Sequence, residues 1–210
     1  MKITLAAATQ MELSQFSAIS FKNHSVEKLI HGVGLLSSVY EITHYLLLSK
    51  PDFIIQCGIA GAYNRDLKIG ESVIIENEII DSGVENKETI DDIFDLNFYK
   101  SDDFPFENKR LPCPFIKDIQ TKFKKVNALT VQVCSGTETT INKRLQKYQA
   151  DVESMEGAAL HYVCLKNDIP FLQFKTISNY VEVRNKDNWD IDLALKNNST
   201  DLINFIDEIL

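Results

Sequence analysis

Two acids three positions apart, Glu153 and Glu156, stand at the head of the stretch Val152-Glu153-Ser154-Met155-Glu156-Gly157-Ala158-Ala159-Leu160. Small and apolar residues dominate from Gly157 to Cys164, the composition of a helix packed inside a domain. A carboxylate in such a place is costly unless it is hydrogen-bonded. The hydroxyls of a sugar diol are a natural partner, because a carboxylate accepts two hydrogen bonds side by side. The same acids would also suit the positive end of a helix with no ligand. On this stretch alone both readings stay open.

Other strand ends carry chemistry of their own. Residues 2–8 form a compact apolar run, which predicts a strand buried on both faces, and Glu12 follows it. Polar groups at the carboxyl ends of strands in an α/β sheet point into the ligand crevice. Glu12 is thus a site candidate by position, with an exposed acid in a helix first turn as the other reading. After a strand at 53–57 comes Gly58-Ile59-Ala60-Gly61-Ala62, either a seat for a ligand on bare backbone amides or a packing turn. A strand at 128–134 leads into Ser135 to Thr140. The last buried strand, 170–177, leads into Ser178-Asn179. Gly32-Val33-Gly34 lacks the third glycine of a dinucleotide fingerprint and follows the second strand, at 26–31, so it matches such a site poorly.

The elements that must position these groups alternate. Helices are expected at about 35–49, 116–125 and 141–148, and from 152 to about 167. A long strand is expected at 72–80. A C-terminal amphipathic helix carries Leu202, Ile203, Phe205, Ile206 and Leu210. Residues 81–126 read as a loop-rich excursion with acids on a solvated face, although Phe104, Phe106 and Phe115 could roof a pocket. Strands alternating with helices predict a three-layer α/β fold, one domain over 1–210. Four strand ends then bring Glu12, Gly58 to Gly61, Ser135 to Thr140 and Ser178-Asn179 to one crevice.

The 210 residues are 44% hydrophobic and 25% charged, ordinary for a globular chain with a real core. A formal net charge of -8 argues against nucleic acid as a partner. No apolar run reaches the length of a membrane span, and the N-terminus reads as a strand, not a signal peptide. Cys57, Cys113, Cys134 and Cys164 match no metal motif, and three lie in apolar stretches. Free thiols in a reducing cytoplasm are expected, with no metal and no cofactor.

The motifs also carry a resemblance. Glu12 after the first strand, His31-Gly32-Val33-Gly34, Cys57-Gly58-Ile59-Ala60-Gly61-Ala62, Leu67-Lys68-Ile69-Gly70-Glu71, Val152 to Ala159 and Ile177-Ser178-Asn179 together resemble the nucleoside phosphorylase/nucleosidase superfamily. Within it, the chain looks like the methylthioadenosine/S-adenosylhomocysteine nucleosidases. The tail Ser178-Asn179-Tyr180-Val181-Glu182-Val183-Arg184-Asn185-Lys186-Asp187-Asn188-Trp189-Asp190-Ile191 is more similar to the branch that hydrolyses futalosine, a 6-oxopurine nucleoside of an alternative menaquinone route. The likeness spans nearly the whole chain and is weakest between Ser82 and Lys125.

This resemblance implies a three-layer αβα nucleoside phosphorylase-like domain with a mixed central sheet. It implies cleavage of an N-ribosidic bond by water, through a transition state resembling a ribosyl cation. Glu12 would deprotonate the water. Glu156 would bind the ribose hydroxyls, with Met155 against the sugar. Gly61, Ile59, Thr139, Thr140 and Ser178 would line the pocket. Trp189 would close it, or simply pack on the C-terminal helix, and Arg184 would meet a carboxylated 5′ group. A homodimer is implied, with a neighbour's loop completing the 5′ pocket. Where adenine-specific relatives place an aspartate, this chain has Asn179. An amide donates to one acceptor and accepts from one donor, which fits hypoxanthine better than adenine. The turn from Gly58 to Gly61 has no hydroxyl or Arg, so water is favoured over phosphate. The alternatives are a methylthioadenosine-type nucleosidase, a purine nucleoside phosphorylase or a catalytically silent nucleoside-binding protein. Glu153 has no matching role and is left to local structure.

Overall fold

The apolar runs become the strands of one mixed sheet. A computed structural model describes residues 1–16 and 24–209. In order, the elements are β1 (Lys2–Ala7), α1 (Gln10–Ser14), β2 (Ser25–Ile30), α2 (Leu35–Leu48), β3 (Phe53–Ala62), β4 (Ser72–Ile80), β5 (Gly83–Glu85), β6 (Ile90–Asp92), β7 (Leu111–Pro112), β8 (Lys124–Thr130), α3 (Glu138–Tyr148), β9 (Val152–Ser154), α4 (Gly157–Asn167), β10 (Phe171–Tyr180) and α5 (Ile191–Ile209). The strand order is β10-β4-β8-β9-β3-β1-β2, with β7 on β4. Because β10 also pairs with β3, five strands close into a ring.

Strand β3 is the axis of this arrangement. Along one edge it runs parallel to β10. Along the other it changes partner: Phe53 to Gln56 pair with β1, whereas Gly61 and Ala62 pair with the antiparallel β9. Neither β1 nor β9 pairs with Cys57 to Ala60, so the two strands part there and leave a gap. A register shift between Ile177 and Asn179 marks a bulge in β10 opposite this gap. Bulges re-aim side chains, and here the re-aimed residues are Ser178 and Asn179.

The core holds the sheet rigid behind the gap. Ile3, Leu5, Ile54, Ile55, Phe171 and Phe174 are buried with Leu160 of α4 and Phe205 of α5. Helix α2 packs on α4, and α5 packs on β10 and β3. Among the described residues no helix is long and apolar enough to cross a membrane.

Several expected boundaries move. The predicted turn at Gly58 is the second half of β3, held in the sheet by β10. No helix forms over 116–125: a single 3-10 turn at Pro114–Ile116 gives way to β8, whose Lys124 to Thr130 pair with β4. Tertiary pairing overrides the local pattern there, and Phe123 packs edge-on to Phe174 and Phe205. The strand expected to reach Cys134 ends at Thr130. Helix α4 begins at Gly157, since Val152 to Ser154 pair with β8 and β3 as a strand. Phe106 is buried near Phe94, Tyr99 and Tyr162, and Phe104 and Phe115 line a separate apolar cavity with Phe171. Leu210 lies outside the described residues.

Candidate active site

The gap beside β3 opens into a crevice of about 250 Å³. Glu12, Ile59, Gly61, Met155, Glu156, Ser178, Asn179 and Trp189 all line it, so the structure brings together most of the residues singled out from sequence. Ala8, Met11, Val33, Cys134 and Glu153 are also in its wall.

Glu12 arrives through helix α1. Thr9 is its N-cap and forms a capping box: the Glu12 N–H donates to Thr9 Oγ1, and Thr9 N–H and O–H donate to Glu12 Oε2 at 3.0 and 2.9 Å. One carboxylate oxygen is thereby fixed. The other, Oε1, points across the gap at Gly58, where an added methyl group would overlap it. The same methyl would stand 3.2 Å from Lys175 Nζ. Glu12 is therefore in a helix first turn, yet buried (8% exposed) and aimed at the crevice.

Lys175 escaped the sequence reading. It is 2% exposed, in the middle of β10, and its ammonium borders Gly58, the residue that Glu12 Oε1 also faces. A lysine inside an apolar strand is almost never buried without a partner, and that was the available signal. Both charges act on the buried groups around them. Burial pushes the Cys57 thiol up to about 12, helped by Glu12. Burial, with Lys175 nearby, holds the His31 imidazole down at about 4.

Glu156 occupies the N-cap position of α4 but makes no cap with its side chain. Its carboxylate turns to the crevice, where it accepts the Gly34 N–H at 3.0 Å and the Met155 N–H at 3.2 Å. The Gly32-Val33-Gly34 turn thus holds a carboxylate of the chain's own. Behind the turn, His31 Nδ1 contacts the Ser38 hydroxyl at 2.9 Å and its Nε2 contacts the Gln56 amide at 3.1 Å.

Asn179 is oriented by its neighbours. Its Nδ2 donates to the Tyr180 carbonyl at 2.9 Å, and its Oδ1 accepts from the Ser178 hydroxyl at 2.8 Å. A carbonyl only accepts, so the NH₂ end must face Tyr180. One N–H and one lone pair remain for a ligand.

Glu153, three residues before Glu156, is spent on structure. It accepts the Tyr63 hydroxyl at 2.5 Å, the Ser135 hydroxyl at 2.7 Å and the Ser135 N–H at 2.9 Å. Arg144 approaches at 3.9 Å and is itself paired with Asp81 at 2.6 Å. Burial, then the Glu153 charge, push the Tyr63 hydroxyl well above its ordinary range, so it stays a donor. This network pins the Cys134-Ser135-Gly136 loop beside the crevice. An annex behind the loop is lined by Asn179, Gly136, Trp189 and Arg184. The Arg184 guanidinium lies 5.8 Å over the Trp189 ring.

Thr139 and Thr140 do not reach the crevice. Thr137 caps α3, which starts at Glu138, so both residues are drawn into its first turn. Thr139 is exposed, and Thr140 lines a separate polar cavity with Asp81 and Lys143. The loop that does reach the site is Cys134 to Gly136. No group of three or more metal-ligating side chains is found among the described residues. Cys57, Cys113 and Cys164 are buried free thiols, and Cys134 is exposed.

Comparison with known proteins agrees with this geometry. The family model described as "Phosphorylase superfamily" matches residues 15–210. A 5′-methylthioadenosine/S-adenosylhomocysteine nucleosidase of Haemophilus ducreyi is 30% identical over 168 residues, covering 76% of this chain and 69% of that protein. One from Buchnera aphidicola subsp. Baizongia pistaciae is 30% identical over 239 residues, covering 98% and 89%. Among solved structures, the Helicobacter pylori nucleosidase of the same name superposes with a TM-score of 0.80 at 14% identity, covering 100% of this chain and 99% of that one. Futalosine hydrolase from the same organism superposes with a TM-score of 0.79 at 14% identity, covering 100% and 98%. At such identity these structures establish the fold, an αβα domain with a mixed central sheet. The chain belongs to the phosphorylase superfamily, as an N-glycosidase of the nucleosidase type.

Proposed function

We propose that this enzyme hydrolyses the N-ribosidic bond of a 6-oxopurine nucleoside, with futalosine as the substrate and hypoxanthine and dehypoxanthine futalosine as the products, a step of menaquinone biosynthesis. The observation that carries this reading is Asn179. Its amide, oriented by Ser178 and Tyr180, offers one N–H and one lone pair. A 6-oxopurine presents acceptors at O6 and N7 and a donor at N1. The amide pair could meet O6 and N1–H of a 6-oxopurine, or N7 and the 6-amine of adenine; what disfavours adenine is that no carboxylic acid stands here to protonate its N7.

The rest of the crevice supports water as the nucleophile. Glu12 Oε1 takes the water proton, while Thr9 holds the carboxylate in place through the other oxygen. Glu12 also repels an anionic nucleophile, which opposes phosphate. Glu156 grips the ribose diol, and both carboxylates favour the positive charge that develops on the sugar. Among the residues lining the crevice and annex, Arg184 is the one cation, so a carboxylated substituent would be read there.

A second copy of the chain is proposed to complete the site. Leu36, Tyr40 and Leu47 lie exposed along α2, which begins two residues after Val33 of the crevice wall. Light scattering giving a homodimer mass is the expected result, and a monomer at working concentration would remove this part of the reading.

The second reading, favoured by the names of the curated relatives, is a methylthioadenosine-type nucleosidase. One assay separates the alternatives: incubate with futalosine, inosine and methylthioadenosine, with and without phosphate, and measure free base. Hypoxanthine from futalosine without phosphate is expected. Adenine from methylthioadenosine at comparable rate would end the role given to Asn179. Base release only with phosphate would end the hydrolase reading.

A further inference from the structure

We propose that Thr130 and Glu78 form a relayed cap for helix α4, and that both are positioning residues whose task is to free the Glu156 carboxylate for the sugar. The proposal rests on the assignment of Glu156 to the ribose. The first N–H groups of a helix have no partner inside it and are usually met by the side chain of the N-cap residue. In α4 the N-cap residue is Glu156, and its carboxylate is turned away to Gly34, Met155 and the crevice. The Ala158 N–H instead donates to Thr130 Oγ1 at 2.8 Å, a side chain from the neighbouring strand β8.

The Thr130 hydroxyl can serve both neighbours at once. A hydroxyl has one hydrogen. Since the Thr130 oxygen accepts from Ala158, its own hydrogen is free for Glu78 Oε2, which lies 2.8 Å away on β4. Glu78 is 0% exposed and has no cation bonded to it. Its other oxygen, Oε1, lies against the first residue of the helix: a methyl group on Gly157 would overlap it. That close approach explains why position 157 is a glycine. Gln173 from β10 crowds the same point, and His161 of α4, Lys175 of β10 and Glu156 are the titratable groups around Glu78. Burial pushes the Glu78 carboxyl up to about 7, with the Glu156 charge adding to it. A carboxyl that protonates this readily is suited to this place, because a full second charge would work against the charged Glu156.

The relay therefore does at the back of α4 what an ordinary N-cap does at its mouth. Without the Thr130 hydroxyl the Ala158 N–H loses its partner, and the Glu156 carboxylate, which holds the N-cap position that ordinarily meets such a group, would be drawn to it and away from the crevice.

Thr130→Val tests this in the full-length enzyme, with hypoxanthine release from futalosine, or base release from whichever nucleoside is cleaved, as the readout. A loss of at least about tenfold in kcat/KM is expected, on the scale of one misplaced binding group. Thr130→Ser, which keeps the hydroxyl, should restore activity to within about twofold. The decisive measurement is Thr130→Val in a Glu156→Gln background: the loss should vanish there, because contacts in one network are not additive. Thermal stability should fall in both backgrounds alike. Equal losses of kcat/KM in both backgrounds, or full activity in a folded Thr130→Val, would overturn the relay. Should Thr130→Val not fold, Thr130→Cys, a weak donor and acceptor of similar size, is read in its place by the same criteria. If Glu156→Gln alone leaves kcat/KM unchanged, the ribose assignment fails and the relay with it, whereas a damaging Glu156→Gln beside a silent Thr130→Val sinks the relay only.

Discussion

Glu153 and Glu156 lie three residues apart and both line the crevice, so exchanging their variants is a sharp test of the site. In Glu153→Ala three buried donors lose their acceptor: the Ser135 N–H, the Ser135 hydroxyl and the Tyr63 hydroxyl. The two hydroxyls are 2.8 Å apart and can turn toward each other, so one is rescued. The backbone N–H has no second partner, and the Arg144 guanidinium loses a nearby charge. At about 1–3 kcal/mol for each unsatisfied buried group, the loss is roughly 3–5 kcal/mol. For a chain of this size about 1 kcal/mol shifts Tm by about 2–4 °C, so a fall of about 6–20 °C is expected. Glu153→Gln keeps one acceptor oxygen and should lose only about 1–2 kcal/mol.

Urea unfolding at pH 7 checks the first part, followed by far-UV circular dichroism and by the fluorescence of Trp189, the single tryptophan of the chain. The kinetics check the second: folded Glu153→Gln should retain kcat/KM within about tenfold, because neither Glu153 oxygen is free for substrate. A Glu153→Ala variant that loses under about 1 kcal/mol would refute the network. So would a Glu153→Gln variant that is fully stable and catalytically dead, since that pattern belongs to a group that touches the substrate.

Glu12→Gln should show the opposite pattern, a ~100-fold to ~10,000-fold loss of kcat with little change in Tm, because an amide oxygen still accepts from Thr9; an active variant would remove the water-activation role. Gly58→Ala should lower kcat by about 100-fold with KM little changed, by pushing aside the Glu12 carboxylate; steady-state kinetics that match the parent enzyme would contradict the close packing of Glu12, Gly58 and Lys175. For His31, the folded value of about 4 lies below the ordinary 6.5, so the unfolded chain takes up the proton first as pH falls. Its contribution to stability is complete above pH 6.5 and is lost as pH falls toward 4. Urea midpoints at pH 7 and pH 5 should therefore drop less in His31→Asn than in the parent, and parallel drops would show that His31 is not held neutral.

How far the sequence could be read depended on whether a feature was local. β1, β2, α2, β4 and α5 followed from period and composition, since each is a self-contained pattern. The first half of β8 did not, because Lys124 and Lys125 look helical or exposed until β4 supplies a pairing partner, whereas Ala128 to Thr130 were read as strand. The second half of β3 was read as a turn for the same reason: glycines at 58 and 61 break a local pattern, yet β10 holds them in the sheet. Within the site, Glu12, Glu156 and Asn179 were reached because strand ends converge in α/β folds. Lys175 was passed over as one charge in a strand. Thr139 and Thr140 were placed in the site because the end of β8 was set four residues too late, which carried the following loop with it.

The strand β9 also explains why two neighbouring acids have different fates. On a helix, Glu153 and Glu156 would be three positions apart and share one face. With Val152 to Ser154 paired on both sides as a strand, Glu153 is fixed among Tyr63, Ser135 and Arg144, and only Glu156 comes free at the junction with α4. Helix-start acid and ligand-binding acid were set against each other as readings of both Glu12 and Glu156, yet a place at a helix start does not exclude the ligand role proposed for either. Glu12 divides its oxygens, one closing the capping box with Thr9 and one facing Gly58 and the crevice. Glu156 holds the cap position and leaves the capping to Thr130. In both cases the helix terminus is what fixes a carboxylate at a strand end without saturating it, and an unsaturated, immobile carboxylate is what bond cleavage at a sugar carbon requires.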